Sequence, residues 1–321
     1  MPVTTAALPV ADITSLGPII PSVFGRRRRK VLIIINGKGG VGKSSLAAAL
    51  AVSLTRINMR VLLVEMDPQG NNGEDLGFIS SPLYDNGAGQ AQAILEGTGL
   101  KPTGEARPGL WVVPGGPELE EIQEELYVQR RLARQTGDSS WVYMYAAAIA
   151  QVEDDYDMII LDVAPGSLVL QMQAMVAGHM VMVPSRSDES SRKGLRTVVR
   201  RYLDALPFNP SLVITGIVLF GVTSGAARVT AEIRELLEND VRGAAPVYET
   251  VIRYVEKAAV ECRRNGKVPD ELAREEWLGA PSQASLLKSV KGLAADYRGL
   301  MTEYLTEVAR IKQADENEAA S

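Results

Sequence analysis

Three groups of residues in this chain could act on a phosphorylated ligand. The first is the run Gly37-Lys38-Gly39-Gly40-Val41-Gly42-Lys43-Ser44. Backbone N–H groups of a glycine-rich loop can wrap a dense anion, because no Cβ blocks the approach. A helix opening where the loop ends points its positive pole at the same charge. In Gly37-x4-Gly42-Lys43-Ser44, the Lys43 amine would reach the outer phosphates and the Ser44 hydroxyl would ligate Mg²⁺. The second group is Asp162, which closes the apolar run Met158-Ile159-Ile160-Leu161. A carboxylate at such a strand end is placed to serve the metal. The third is Glu65, which follows the apolar run Val61-Leu62-Leu63-Val64.

The same glycines admit a rival reading. Gly37-x-Gly39-x-x-Gly42 also fits a dinucleotide-binding fingerprint, and Glu65 stands where a ribose-binding acid would be. The glycines alone leave both readings open. Lys43-Ser44 directly after the last glycine, with Asp162 as a second acidic strand end, favours a triphosphate with Mg²⁺.

These groups need a scaffold that brings strand ends together. Val31-Leu32-Ile33-Ile34-Ile35 reads as a buried strand ending at the loop, with a helix predicted over about 43–57. Further apolar runs predict strands at Val61–Val64, Leu110–Val113, Met158–Leu161, Met180–Val183 and Val213–Val218. Helical stretches separate most of them. That alternation predicts an α/β fold, a doubly wound, mostly parallel sheet flanked by helices. Residues 1–30 are expected to form a flexible arm ending in the basic run Arg26-Arg27-Arg28-Arg29-Lys30, either a solvated edge or a contact for an acidic partner. Residues 31–311 form the predicted domain, closed by a helix over about 284–311. Residues 312–321 read as a disordered acidic tail.

Composition narrows the classes. Of 321 residues, 46% are hydrophobic and only 5% aromatic, which suits an aliphatic sheet core. The formal net charge of −5 argues against a globally basic nucleic-acid binder but leaves local patches open. One cysteine, Cys262, and one histidine, His179, leave no disulfide framework and no Cys or His metal cluster. A cytoplasmic protein without a leader is expected. No apolar run reaches the roughly 18 residues of a membrane helix.

Lys38, a second lysine inside the loop, makes the motif more specific. Lys38-Gly-Gly-Val-Gly-Lys43-Ser44 resembles the deviant Walker A loop of the ParA/MinD ATPases. Val61-Leu-Leu-Val-Glu65-Met-Asp67-Pro-Gln-Gly-Asn71 resembles the second motif of that family in its ParA form. Tyr156-Asp157-Met-Ile-Ile-Leu-Asp162 resembles its Walker B region. The resemblance runs from about Val31 to Ile311. It implies an ATPase of slow basal rate that uses ATP and Mg²⁺, with Gly37 to Ser45 as the nucleotide cradle. Lys38 then matches the signature lysine that crosses an ATP-sandwich homodimer, and Ser45 would touch the α-phosphate. Asp67 matches the switch aspartate implicated in hydrolysis, beside Lys38 and Lys43 as catalytic residues. Ser44 and Asp162 match the Mg²⁺ site. Glu65 replaces a more usual Asp, and Val163-Ala164-Pro165-Gly166 replaces a double-proline turn. The adenine region, Thr223 to Arg228 and Arg253, matches weakly.

Within the family, the acidic C-terminus argues against a membrane helix, and the lack of cluster cysteines argues against a nitrogenase-reductase relative. The ParA form implies partition of DNA in a nucleoid-associated cytoplasmic setting, with non-specific DNA binding and a ParB-like partner that stimulates hydrolysis. A cargo adaptor in place of ParB would make it a positioner of protein cargo. A non-hydrolysing, nucleotide-gated scaffold is a further reading. Arg228, Lys257, Arg263, Arg264 and Lys288 are the candidate DNA contacts. Arg192, Lys193, Arg196, Arg200 and Arg201 recur at helical spacing as a second candidate basic face. Glu118 to Glu125 reads as an exposed acidic helix face.

Overall fold

A computed structural model describes residues 29–222, 227–241, 245–275 and 281–320. The arm up to residue 28, most of the Thr223–Arg228 stretch and Trp277 lie outside the described residues. Eight strands form one sheet in the order β3-β4-β2-β5-β1-β6-β7-β8. The strands are β1 Val31–Ile34, β2 Val61–Met66, β3 Gly104–Arg107 and β4 Leu110–Val113. They continue with β5 Met158–Val163, β6 Met180–Ser185, β7 Val213–Val222 and β8 Val247–Arg253. Every pairing is parallel except β3 with β4. The expected doubly wound architecture is therefore present.

The helices are α1 Lys43–Thr55, α2 Asn72–Asp75, α3 Ala88–Glu96, α4 Leu119–Thr136, α5 Met144–Ala150 and α6 Leu168–Ala177. Then follow α7 Glu189–Ala205, α8 Ala227–Val241, α9 Glu256–Arg264, α10 Pro269–Leu272 and α11 Pro281–Ala320. The sheet is buried on both faces, so its inner strands are apolar throughout rather than alternating. Ile33 and Ile35 face a core built with α3 to α8. Leu32 and Ile34 face the other, built with α1, α9, α10 and α11. Helix α1 lies under α11, which is why nine of its thirteen residues are buried and it has no polar stripe.

Two strands lie outside the predicted set. β3 reads Gly-Glu-Ala-Arg, with no apolar period, and is held as an antiparallel hairpin edge. β8 reads Val-Tyr-Glu-Thr-Val-Ile-Arg and forms the opposite edge beside α11. The terminal helix also differs from expectation, because it continues through residues 312–320 instead of ending at Ile311. Asp315 on its last turns accepts from Arg29 Nε at 2.7 Å and Nη2 at 2.9 Å. Arg29 is only 4% exposed and also donates to the carbonyls of His179 and Ser211. Arg29 thus ties the start of β1 to the terminal helix, and Lys30 Nζ ties it to the carbonyls of Glu153 and Tyr156. His179, just before β6, holds the start of β1, its Nδ1 accepting from the N–H groups of Lys30 and Val31.

Candidate functional site

The parallel inner strands bring their C-terminal ends to one edge, where the loop of residues 35–42 leaves β1 and enters α1. Gly42 is the N-cap of α1, with φ of 87°, a left-handed conformation that glycine adopts without strain. A Cβ there would also collide with the Phe220 ring. No side chain caps α1, and no acid stands in its first turn. By contrast, Ser167 caps α6 through Leu170 N–H, and Asp188 caps α7 through Ser191 N–H. The first N–H groups of α1 are thus left to an anion.

Lys43 is buried beneath the loop, its Nζ 3.4 Å from the Lys38 carbonyl. Burial lowers its pKa, and the carboxylates of Asp162 and Asp67 oppose that shift. A cation held by so little protein is suited to meet phosphate oxygens. Asp162, opposite Ile34 on β1 and Glu65 on β2, is fully buried. Its Oδ2 accepts from Asn72 Nδ2 at 2.9 Å, while its Oδ1 has no hydrogen-bond partner. The Ser44 hydroxyl lies close enough to favour its ionised form, yet completes no hydrogen bond to Oδ1. Burial nonetheless pushes the Asp162 carboxyl up to about 6. A buried carboxylate oxygen without a partner, next to a hydroxyl and the Asn72 amide oxygen (also unpartnered), is a donor set for a hard cation such as Mg²⁺.

The two acids of the second motif have different roles. Glu65 is buried, and its oxygens accept from Asn72 N–H at 2.9 Å and Gly115 N–H at 3.2 Å. Burial, reinforced by the charge of Asp162, holds its pKa well above the carboxylate range. An enclosed acid of this kind cannot reach a ribose, which removes the dinucleotide reading. Asp67 lines the cavity beside Gly39, Gly40 and Lys43. Its Oδ1 accepts from Gln69 N–H, and burial raises its pKa against the pull of Lys43.

Lys38 is placed differently from Lys43. Its N–H donates to Asn36 Oδ1, and its Nζ reaches out of the loop to Asp188 Oδ1 at 2.7 Å. That bond helps hold Asp188 at about 2. The Ser45 hydroxyl donates to Asp75 Oδ2 at 3.2 Å. Asp75 in turn accepts from Arg263 Nε at 2.9 Å. Arg263, a candidate DNA contact, is thereby tied to the wall of the nucleotide cavity.

The cavity, about 600 Å³, extends from the loop to Phe220, Gly221, Tyr254, Val255 and Tyr297. Arg186 bridges its rim, donating to the Gly40 carbonyl at 3.3 Å and lying 5.9 Å from the Tyr254 ring centre. Sequence reading missed Asn72, Asp75, Arg186 and Tyr254. Asn72 had a signal, its adjacency to the Asp-Pro-Gln-Gly-Asn71 motif; the others had none. Among the remaining DNA candidates, Arg228 pairs with Glu232 and Arg264 with Glu261. Lys257 and Lys288 are exposed. The second basic face is largely compensated. Arg192 and Arg196 share Asp240, Lys193 pairs with Glu189, and Arg201 pairs with Asp204. No helix among the described residues is long and apolar enough to cross a membrane.

Comparison with known proteins agrees with this geometry. A family described as an AAA domain matches residues 29–212. The chromosome partitioning protein ParA of Myxococcus xanthus is 31% identical over 244 residues, 71% of this chain and 79% of that protein. Among solved structures, cobyrinic acid a,c-diamide synthase from Mycobacterium smegmatis, with bound ADP and magnesium, is 26% identical. It aligns with a TM-score of 0.59 over 74% of this chain and 92% of that one. A plasmid partition protein from Borrelia burgdorferi, 17% identical, aligns with a TM-score of 0.59 over 87% of this chain and 99% of its own. The chain belongs to the ParA/MinD family of P-loop ATPases.

Proposed function

We propose that this protein hydrolyses ATP slowly in a Mg²⁺-dependent cycle that partitions DNA. The observation that carries the reading is the division of labour between the two loop lysines. Lys43 lies buried beneath the loop, whereas Lys38 projects out of it to Asp188. An amine that leaves its own cradle is available to a second subunit's nucleotide, so the γ-phosphate would join two copies of the chain. Gly37 to Ser44 then wrap the phosphates, with Lys43 on the β- and γ-oxygens. Ser44 and Asp162 would hold Mg²⁺, which supplies charge neutralisation on the triphosphate. Asp67 would position the attacking water. The solved relative that holds ADP and magnesium supports this pairing of nucleotide and metal.

The partition role rests on the ParA relatives. In this reading the ATP dimer binds DNA without sequence preference through exposed cations such as Lys257 and Lys288. A ParB-like partner releases it by stimulating hydrolysis. Sedimentation and DNA retention, measured with ATP, with ADP and for Lys38→Ala, test the switch. ATP should give a dimer that retains DNA at low salt, and ADP or Lys38→Ala should not. A sedimentation coefficient and DNA retention indifferent to nucleotide would overturn the reading.

A further inference from the structure

Helix α4 carries a surface that the nucleotide site does not use. Its outward residues include Glu120, Glu121, Glu124, Tyr127, Val128, Arg131, Leu132, Arg134 and Gln135. Tyr127 is 45% exposed, Val128 37% and Leu132 44%, an apolar centre left open on an otherwise polar helix. The charges around that centre are segregated. Glutamates occupy positions 118, 120, 121, 124 and 125, and arginines occupy 130, 131 and 134. Among the described residues, Glu120, Glu121, Glu124, Arg130, Arg131 and Arg134 make no ion pair, unlike the cations of α7.

This pattern is unfavourable within one helix. Glu120 with Glu124, Glu121 with Glu125 and Arg130 with Arg134 are like charges four residues apart, which destabilise a helix. No Glu and Arg stand three or four apart. The helix dipole favours Glu120 and Glu121 in the first turn and Arg134 in the last. Its influence fades beyond those turns, so it does not account for Glu124, Glu125, Arg130 and Arg131.

The order becomes favourable when the helix meets its own copy running the opposite way. A twofold axis between Tyr127 and Val128 places Glu124 opposite the partner's Arg131 and Glu120 opposite the partner's Gln135. It sets Val128 beside the partner's Val128 on one flank of the seam and Tyr127 beside the partner's Tyr127 on the other. Glu120, Glu124, Arg131 and Gln135 fall along the middle of the exposed face at helical spacing, so the two polar pairings share one line. We infer that α4 is a docking surface for a second copy of this chain, packed as an antiparallel helix pair. A twofold contact must be self-complementary, and this face is. The helix is about 27 Å long at 1.5 Å per residue, so the contact falls at the small end of specific interfaces. It therefore acts mainly between molecules already held near one another.

Bismaleimide coupling of the full-length, nucleotide-free protein at low salt tests the register. Val128→Cys should couple two chains efficiently, because these positions meet at the axis. Glu120→Cys should couple at least about tenfold less, being roughly 22 Å from its own copy along the helix. Sedimentation equilibrium tests the charges. Arg131→Glu should weaken self-association about tenfold or more. Adding Glu124→Arg should restore it, with circular dichroism unchanged throughout. Equal or absent coupling at both positions, self-association unmoved by the reversal, or no recovery in the double variant would each overturn the inference. The last two outcomes mean that another partner, or none, covers α4.

Discussion

The two ends of the nucleotide cavity are built on different principles. The phosphate end takes its loop from one stretch, residues 37–45, and its acids from the ends of two adjacent strands. Its polar groups are buried and incompletely satisfied, as in the lone Asp162 Oδ1 and the nearly unpartnered Lys43 amine. The other end, which in the proposed reading takes the nucleoside, is assembled from Phe220, Tyr254, Arg263 and Tyr297, which lie on separate elements. There the charges are already matched, Arg263 with Asp75 and Arg253 with Asp296. An end with unmet charge stores affinity for an ionic ligand at some cost in stability, whereas a matched end shapes a cavity. Substitutions should therefore change binding most at the first end, and at the second act chiefly on the wall.

The largest effect is expected for Lys43→Ala. ATP affinity measured by calorimetry should fall about a hundredfold or more, since a buried charge pair with phosphate is removed. Thermal unfolding of the nucleotide-free protein should not suffer, because burial costs Lys43 more than its attraction to Asp162 and Asp67 returns. A stability loss without a binding loss would reverse the proposed contrast.

Asp162→Asn comes next, with effects of opposite sign. Mg²⁺ should no longer tighten ATP binding, while the nucleotide-free protein gains roughly 1–3 kcal/mol at pH 7.5. The sign follows from protonation. The folded carboxyl holds its proton up to about 6, above its ordinary 3.8. The folded state then binds more protons than the unfolded one between those values. Stability contributed by this group is highest below 3.8 and declines as pH rises to about 6. A variant whose melting temperature drops at pH 7.5 would place Asp162 among the stabilising groups instead.

The same proton competes with the metal. Mg²⁺ affinity in the presence of ATP should fall about tenfold for each pH unit below 6 and level off above it. A flat titration from pH 5 to 8 would remove Asp162 from the metal site.

At the nucleoside end, Arg263→Gln should lower stability by about 1 kcal/mol, as buried Asp75 loses its charged partner. ATP affinity should change only a few-fold. The smallest effect belongs to Cys262→Ala. This thiol lines the cavity, but burial pushes it up to about 12, so it carries no appreciable thiolate at neutral pH. Binding should stay within about twofold, and iodoacetamide should label the native protein slowly. Rapid labelling would mean that this wall opens.

What could be read from the sequence follows the same division. The glycines, Lys43, Ser44 and Asp162 were legible because phosphate binding depends on backbone shape and on groups at strand ends, both written in contiguous residues. The six apolar strands were legible because burial on both faces leaves uninterrupted runs. β3 and β8 were not, since an edge strand has one neighbour and tolerates polar residues such as Glu105 and Glu249. Surface charge was least legible. The arginines of α7 and the mixed charges of α4 look equally free in one dimension. Only the fold brings Asp240 to Arg192 and Arg196, and leaves Arg131 and Arg134 unmatched.

The sequence by itself determined the class of ligand and the sheet that carries it, because both arise from local geometry and short-period hydrophobicity. Tertiary structure decided where each long side chain ends. It sent Lys38 out to Asp188, closed Glu65 behind two backbone N–H groups, tied Arg263 to Asp75 and drew Arg29 to the far terminus. Those choices depend on partners up to 286 residues away. A long side chain pairs with whatever charge the packing places within reach, and packing is settled by the whole core.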